Sequence, residues 1–280
     1  MNFLAQIVVW LNAVANAVGK WLLAPIGVLP GWLSATAIAA VTGVLLLAVF
    51  KYTSNQRAIK RVRDDIKAHL LALKLFKDSA VVAVRAQGRI FAGGLRLFFF
   101  SLVPMAVMAV PVMLILGQLA LWYQSRPLQV GEDAVLTLKL HEGAGDRWPA
   151  VSLQPTDAVE VAVGPVRVQS KREICWSLKA RESGYHRLVF HVGDETIDKE
   201  LAVGDRFMRV SAKRPGWSWS DALLHPWEKP FAPDSPVQSV EINYPARSSW
   251  TSGTNYWMIY WFVVSMVAAL CFRRVLNVNI

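Results

Sequence analysis

Residues 51 to 77 read KYTSNQRAIKRVRDDIKAHLLALKLFK. Ile59, Val62, Ile66, Leu70 and Leu73 recur at spacings of 3, 4, 4 and 3, the rhythm of a helix that pairs with another helix. Arg57, Lys60, Arg61, Arg63 and Lys67 fall mostly off that seam. KDS at 77 to 79 offers a break and an N-cap for a second helix carrying Val81, Val82, Val84, Arg85 and Arg89. The expectation is a basic helical hairpin over 51–90. What decides its setting is its neighbours, since apolar runs lie on both sides.

Leu33 to Phe50 is 18 residues without a charge, and Phe91 to Trp122 carries only Arg96. At 1.5 Å per residue each reaches across most or all of a ~30 Å hydrocarbon layer. Thr254 to Phe272 is a third uncharged run. The chain is 54% hydrophobic with 12 Trp, and its mean hydropathy is +0.33. An excess concentrated in a few runs points to a membrane protein with one aqueous part. Three transmembrane helices are expected, at 33–50, 91–123 and 253–274.

A net charge of +10 raises the question of nucleic acid. Lys51 to Arg96 holds 11 basic and 3 acidic residues, whereas 124–252 holds 16 and 17. The excess therefore sits in one loop, with Arg273 and Arg274 adding a basic tail. That is the positive-inside pattern, and topology accounts for the charge without sequence-specific nucleic-acid binding. The hairpin and the C-terminus are placed in the cytoplasm. The N-terminus and 124–252 are placed outside it, in the arrangement of a bacterial inner-membrane protein.

In residues 1–28, Asn2, Gln6, Asn12, Asn16 and Lys20 share about one third of a helix circumference, opposite Phe3, Leu4, Ile7, Leu11, Val14, Val18 and Leu22. A narrow polar stripe of this kind suits an amphipathic helix lying in the interface, and a fourth span is the alternative. A signal peptide is the weaker reading, because a charged start and a small-residue cleavage site are missing. Pro25, Pro30 and Gly31 end the helix. Pro104 and Pro111 lie two turns apart in the second span, so both interrupt one face of it; a bent helix or a polar-lined cavity would follow.

From 128 to 204 the period changes to two. AVLTLKLH aligns Leu136, Leu138 and Leu140, and YHRLVFHV aligns Leu188, Phe190 and Val192. Turn signals, EGAGD at 142–146 among them, separate the strands, and an antiparallel, immunoglobulin-like β-sandwich is expected outside the membrane. Residues 205–252 are rich in Pro, Trp and Ser. Trp217, Trp219, Trp227, Trp250, Tyr256 and Trp257 suit a linker along the membrane surface, with SVEINY at 239–244 adding one edge strand. Cys175 and Cys271 are assigned to opposite sides of the membrane and cannot form a disulfide. His186 and His191 differ by an odd number, so a regular strand turns them to opposite faces and they form no metal pair. With no phosphate-binding, zincin or nucleophile-elbow motif, no enzyme, cofactor or metal is expected.

The order of these parts resembles the YidC-type insertase superfamily. The nearest likeness is its smaller three-span branch, related to the insertase subunit of the endoplasmic-reticulum membrane protein complex. The residues carrying it are the quoted stretch through Ser79 and the proline-containing FFFSLVPMAVMAVPVMLILGQLALWYQSRPL, residues 98–128. It covers about 1–124 and 253–280. The resemblance implies an insertase or intramembrane chaperone with a polar groove that lowers the cost of polar client segments in lipid. Thr36, Thr42, Arg96, Ser101 and Gln118 are the groove candidates. Such insertases often carry an Arg in span 1, and here span 1 has none. Lipid, and client chains or a ribosome docking at Arg57, Lys60, Arg61, Arg63 and Lys67, are the implied partners. The inserted β-domain implies an extracytoplasmic protein partner, and with it the alternative of a non-catalytic subunit of an envelope complex.

Overall fold

The computed structural model describes residues 2–75, 80–141, 148–248 and 256–278. The chain divides into two compact units, Met1–Ala35 with Met113–Tyr260, and Thr36–Val112 with Trp261–Ile280. The KDS break at 77–79, the EGAGD turn, Trp250 and residues 253–255 lie outside the described residues.

Among the described residues, three helices are long and apolar enough to cross a membrane: α1 (Asn2–Leu22), α2 (Gly31–Thr53) and α4 (Ala80–Tyr123). The apolar helix α6 (Trp257–Phe272) has only 16 residues, fewer than the 253–274 span expected. Between α2 and α4 lies the basic helix α3 (Gln56–Leu75). Side chains near the α2–α3 junction turn inward on the backbone. Ser54 Oγ donates to Phe50 O at 2.6 Å, and Asn55 Oδ1 caps α3 by accepting from Ala58 N at 3.1 Å. α4 is one helix of 44 residues, running through both prolines and through the boundary expected at 90.

In the second unit, α3 touches α4 at Gly93, beyond the expected hairpin, while Val81, Val82 and Val84 of the expected second limb are exposed. Ile59 and Val62 are buried, and a Cβ on Gly93 would lie 2.6 Å from Ile66 Cγ1. Farther along the seam Leu70 is 51% exposed, so the seam is filled at one end only. α2 and α6 touch backbone to backbone. A Cβ on Gly43 would lie 2.1 Å from Ser265 O, and one residue earlier Trp261 Nε1 donates to Thr42 Oγ1 at 3.0 Å. Small residues at a helix crossing allow this approach in lipid, where packing rather than water drives association.

The first unit holds the β-domain. β1 (Asp133–Leu140), β3 (Val159–Val168), β4 (Glu173–Ala180), β7 (Lys213–Arg214) and β8 (Val237–Ile242) form an antiparallel sheet in the order β3-β4-β1-β8-β7. β2 (Val151–Leu153), β5 (Gly184–Val192) and β6 (Glu195–Val203) form the second, in the order β2-β5-β6. The alternating residues Leu136, Leu138, Leu140, Leu188, Phe190 and Val192 are all buried in one core, as the period of two requires. Trp176 and Phe190, from different sheets, place their ring centroids 5.6 Å apart.

The domain does not stop at residue 204. Val210, Phe231, Val237, Val240, Ile242 and Tyr244 enter the same core, and β8 lies between β1 and β7 rather than at an edge. Residues 205–248 are thus part of the folded β-unit, which corrects the linker expected at 205–252. Irregular backbone hid this, since its burial depends on tertiary contacts and leaves no periodic trace. A short helix, α5 (Trp219–Leu224), lies in this segment and packs against α1.

Gly43→Val is expected to break the α2–α6 crossing, at a cost of about 1–3 kcal/mol or more from overpacking. Thr42→Val should cost less than a displaced backbone, about 1–3 kcal/mol, because it removes the bond to Ile38 O and leaves the buried Trp261 Nε1 without its acceptor but keeps the crossing. Thermal unfolding of the two variants in the same detergent checks the order.

Candidate functional site

Two regions bring functional side chains together, one in each unit. In the helical unit, Gly43, Leu46, Leu47 and Phe50 of α2, Met108 and Val112 of α4, and Trp261, Phe262, Ser265, Met266 and Ala269 of α6 line a cleft of about 340 Å³. Its walls are almost wholly apolar. Met108 and Met266 give it side chains that adapt to the shape of an occupant.

None of the five groove candidates lines this cleft. Thr42 is buried, donates to Ile38 O at 2.7 Å and accepts from Trp261. Ser101 Oγ donates to Leu97 O within its own helix. Thr36 is half-buried on α2, and Arg96 is exposed on α4. Gln118 belongs to the other unit, where its Nε2 donates to Asn16 Oδ1 at 2.6 Å. The docking candidates on α3 are Arg57, Lys60, Arg61 and Lys67, all exposed, and Arg63, half-buried. Lys67 lies 3.8 Å from Asp64, an exposed pair of little energetic weight.

In the β-unit, the polar stripe of α1 has a different use from the interfacial one expected. Asn12 Nδ2 donates to Ala222 O at 2.7 Å, and Asn16 Nδ2 donates to Pro226 O at 2.8 Å. Asn12 and Asn16 therefore face protein, while Gln6 and Lys20 of the stripe stay exposed, as do Phe3, Leu4, Trp10, Val18 and Trp21 on the remaining surface. Asn12 is 5% exposed, and its Oδ1 has no partner among the described residues. Asn2, at the start of the stripe, has no described side chain.

The loop that receives α1 is fastened to the sandwich by a network of charges. Lys199 of β6 is fully buried; its Nζ donates to Glu228 Oε1 at 2.5 Å and to Ser211 O at 2.6 Å. Ser211 Oγ donates to Glu228 Oε1, and Glu200 N to Glu228 Oε2 at 3.1 Å. Burial pushes the Lys199 ammonium below its ordinary pKa, against the pull of Glu228. Arg209 binds Glu200 with one guanidinium nitrogen and stacks on Trp227 with its carbon 3.2 Å from the ring centroid. Trp227 Nε1 also donates to Glu200. Trp227 was expected at the headgroup zone, and its role here is to close this network.

Two further groups tie the unit together. Arg247 donates to Trp122 O at 3.0 Å and Met208 O at 3.1 Å and packs 4.0 Å from the Phe207 centroid; burial lowers its pKa to about 10. Asp221 of α5 accepts from Lys213 at 2.8 Å and lies 3.2 Å from His225 Nδ1. Burial raises the Asp221 pKa, but these two partners outweigh it and hold it at about 2. Sequence spacing had marked none of Lys199, Glu228 or Asp221.

Glu228→Ala should cost about 3–5 kcal/mol, because it leaves Lys199 buried without a counter-charge. The double change Lys199→Met with Glu228→Leu should cost less than Glu228→Ala alone. Denaturation of the three proteins checks the order. The Asp221 carboxyl sits at about 2 against an ordinary 3.8. Its stabilisation is complete above the ordinary value and is lost as pH falls through the folded one. The thermal midpoint of the wild type should therefore fall more steeply than that of Asp221→Asn between about pH 4 and pH 2.

Comparison with family models, with curated proteins and with solved structures gives no match for this chain.

Proposed function

We propose that this integral membrane protein is an insertase-like intramembrane chaperone that holds apolar parts of client transmembrane segments. The observation that carries the reading is the cleft between α2, α4 and α6, apolar on three sides and lined by two methionines. In lipid, packing is the main term left to distinguish a client helix from the surrounding tails, so an adaptable cleft is a suitable holding site. The basic α3, with Arg57, Lys60, Arg61 and Lys67 exposed, supports docking of a ribosome or nascent chain on the cytoplasmic side of a bacterial inner membrane. The polar candidates are bonded elsewhere or lie off the cleft. That favours shape-based holding over a hydrated groove.

A photo-crosslinking residue at Met108 or Met266 should form adducts with newly made membrane proteins in cells, and depletion should leave some of those clients uninserted. Crosslinks to lipid alone, with normal insertion of inner-membrane proteins on depletion, would overturn the reading.

A second reading, an envelope-complex subunit that binds a protein partner through an immunoglobulin-like sandwich, has one observation behind it. β3 is an edge strand on which Val161, Val163 and Val166 are 43–57% exposed. A long exposed apolar edge invites pairing with another chain. Purification in mild detergent should then yield a stoichiometric partner that Val163→Lys releases. An unchanged composition would count against this second reading.

A further inference from the structure

By length and composition α1 could cross a membrane, and its contacts decide whether it does. Its C-terminal half meets α4 near the end of that helix. Gln118 Nε2 donates to Asn16, and a Cβ on Gly19 would lie 3.0 Å from Gln118 Oε1. From Gln118 to Tyr123, where α4 stops, is only about 8 Å of helix. Toward its N-terminus α1 packs on α5, not alongside α4, and Asn12 binds Ala222 there. At its other end it runs through one 3-10 turn, Ala24–Gly27, into α2, whose Ser34 accepts from Tyr123 Oη at 2.9 Å. The end of α1, the start of α2 and the end of α4 thus gather in one place.

Three courses are open to a helix held this way. A crossing would put Asn12, midway along Asn2–Leu22, near the centre of the bilayer. Ala222 would go with it, and so would Asp221 and its partner Lys213, 2.8 Å away. Glu228 and Lys229 follow within the same receiving segment. Charged groups at that depth are costly. A course through water is also unfavourable. Phe3, Ile7, Trp10, Val14, Val18 and Trp21 recur on the side of α1 away from Asn12, all exposed, and Trp21 is 84% so. They form an apolar strip as long as the helix, about 30 Å, of the kind that marks a contact with a partner.

The third course lies along the membrane surface. Continuity with α2 fixes one end of the strip at that surface, and Val28 and Trp32 at the junction are exposed as well. Gln6 and Lys20 lie along one margin between the apolar side and the side on protein, where headgroups would meet them. We propose that α1 lies in the plane of the bilayer, between the α5 segment and the adjoining leaflet. Asn12 and Asn16 face protein, and Trp10, Val14 and Trp21 enter the boundary between headgroups and acyl chains. The partner of the apolar side is phospholipid, and α1 does not cross. This placement does not depend on client handling in the apolar cleft.

The test uses the full-length protein with Cys175→Ser and Cys271→Ser, reconstituted in vesicles of phosphatidylcholine and phosphatidylglycerol. Single cysteines at Ile7, Trp10, Val14 or Trp21 carry a spin label, and one at Asp194, exposed in the β5–β6 turn, serves as the aqueous reference. Depth is read from the relative access of oxygen and of a water-soluble nickel chelate. The four α1 labels should share one depth, about 5–10 Å into the boundary, while the label at Asp194 meets nickel freely. All these side chains are exposed, so each variant should keep the thermal midpoint of the parent. A spanning α1 would carry the label at Trp10 about 10 Å deeper than the one at Trp21, and that gradient would overturn the proposal. Four labels as open to nickel as the one at Asp194 would overturn it too, assigning the strip to a protein partner.

Discussion

The β-unit depends on one ion pair. Lys199 enters a core that otherwise excludes charge, and Glu228 follows it there from an irregular loop. Burying two charges gains little compared with a well-packed apolar pair, so stability alone does not explain it. The pair does fix where the loop lies. An apolar side chain would accept several positions of residues 226–230. The Lys199 ammonium accepts few, because it must meet Glu228 and the Ser211 carbonyl together. Once Glu228 is placed, Trp227 closes on Glu200 and Arg209, and the carbonyls of Pro226 and Trp227 present acceptors to Asn16 of α1.

Much of this was legible where structure is periodic. The alternation of Leu136, Leu138 and Leu140, and of Leu188, Phe190 and Val192, gave the inner faces of both sheets. The 3-4-4-3 seam on α3 named Ile59, Val62, Ile66, Leu70 and Leu73; Ile59 and Val62 are buried and Ile66 approaches Gly93 of α4. Leu70 shows the limit, since periodicity states which side of a helix is apolar and not how far its partner reaches.

Apart from the strand read at SVEINY, residues 205–248 were not legible, for a physical reason. Their burial comes from single side chains such as Val210 and Phe231 inserted between irregular turns, and from charge pairs whose partners are distant in sequence. The polar stripe of α1 was visible as a stripe, but an asparagine looks the same whether it faces water or a buried carbonyl. The groove candidates failed to gather at the cleft for a similar reason. A Thr or Ser in an apolar helix satisfies itself by bonding its own preceding turn, as Ser101 does, and then need not mark a cavity.

The docking of α1 also carries an order of events. Asn12 and Asn16 lie 210 residues ahead of the carbonyls they bind. During synthesis they emerge long before Ala222 and Pro226 exist. Amides without partners are costly in hydrocarbon, so in that interval the stripe needs water. Only the arrival of residues 222–227 replaces that hydration with peptide carbonyls.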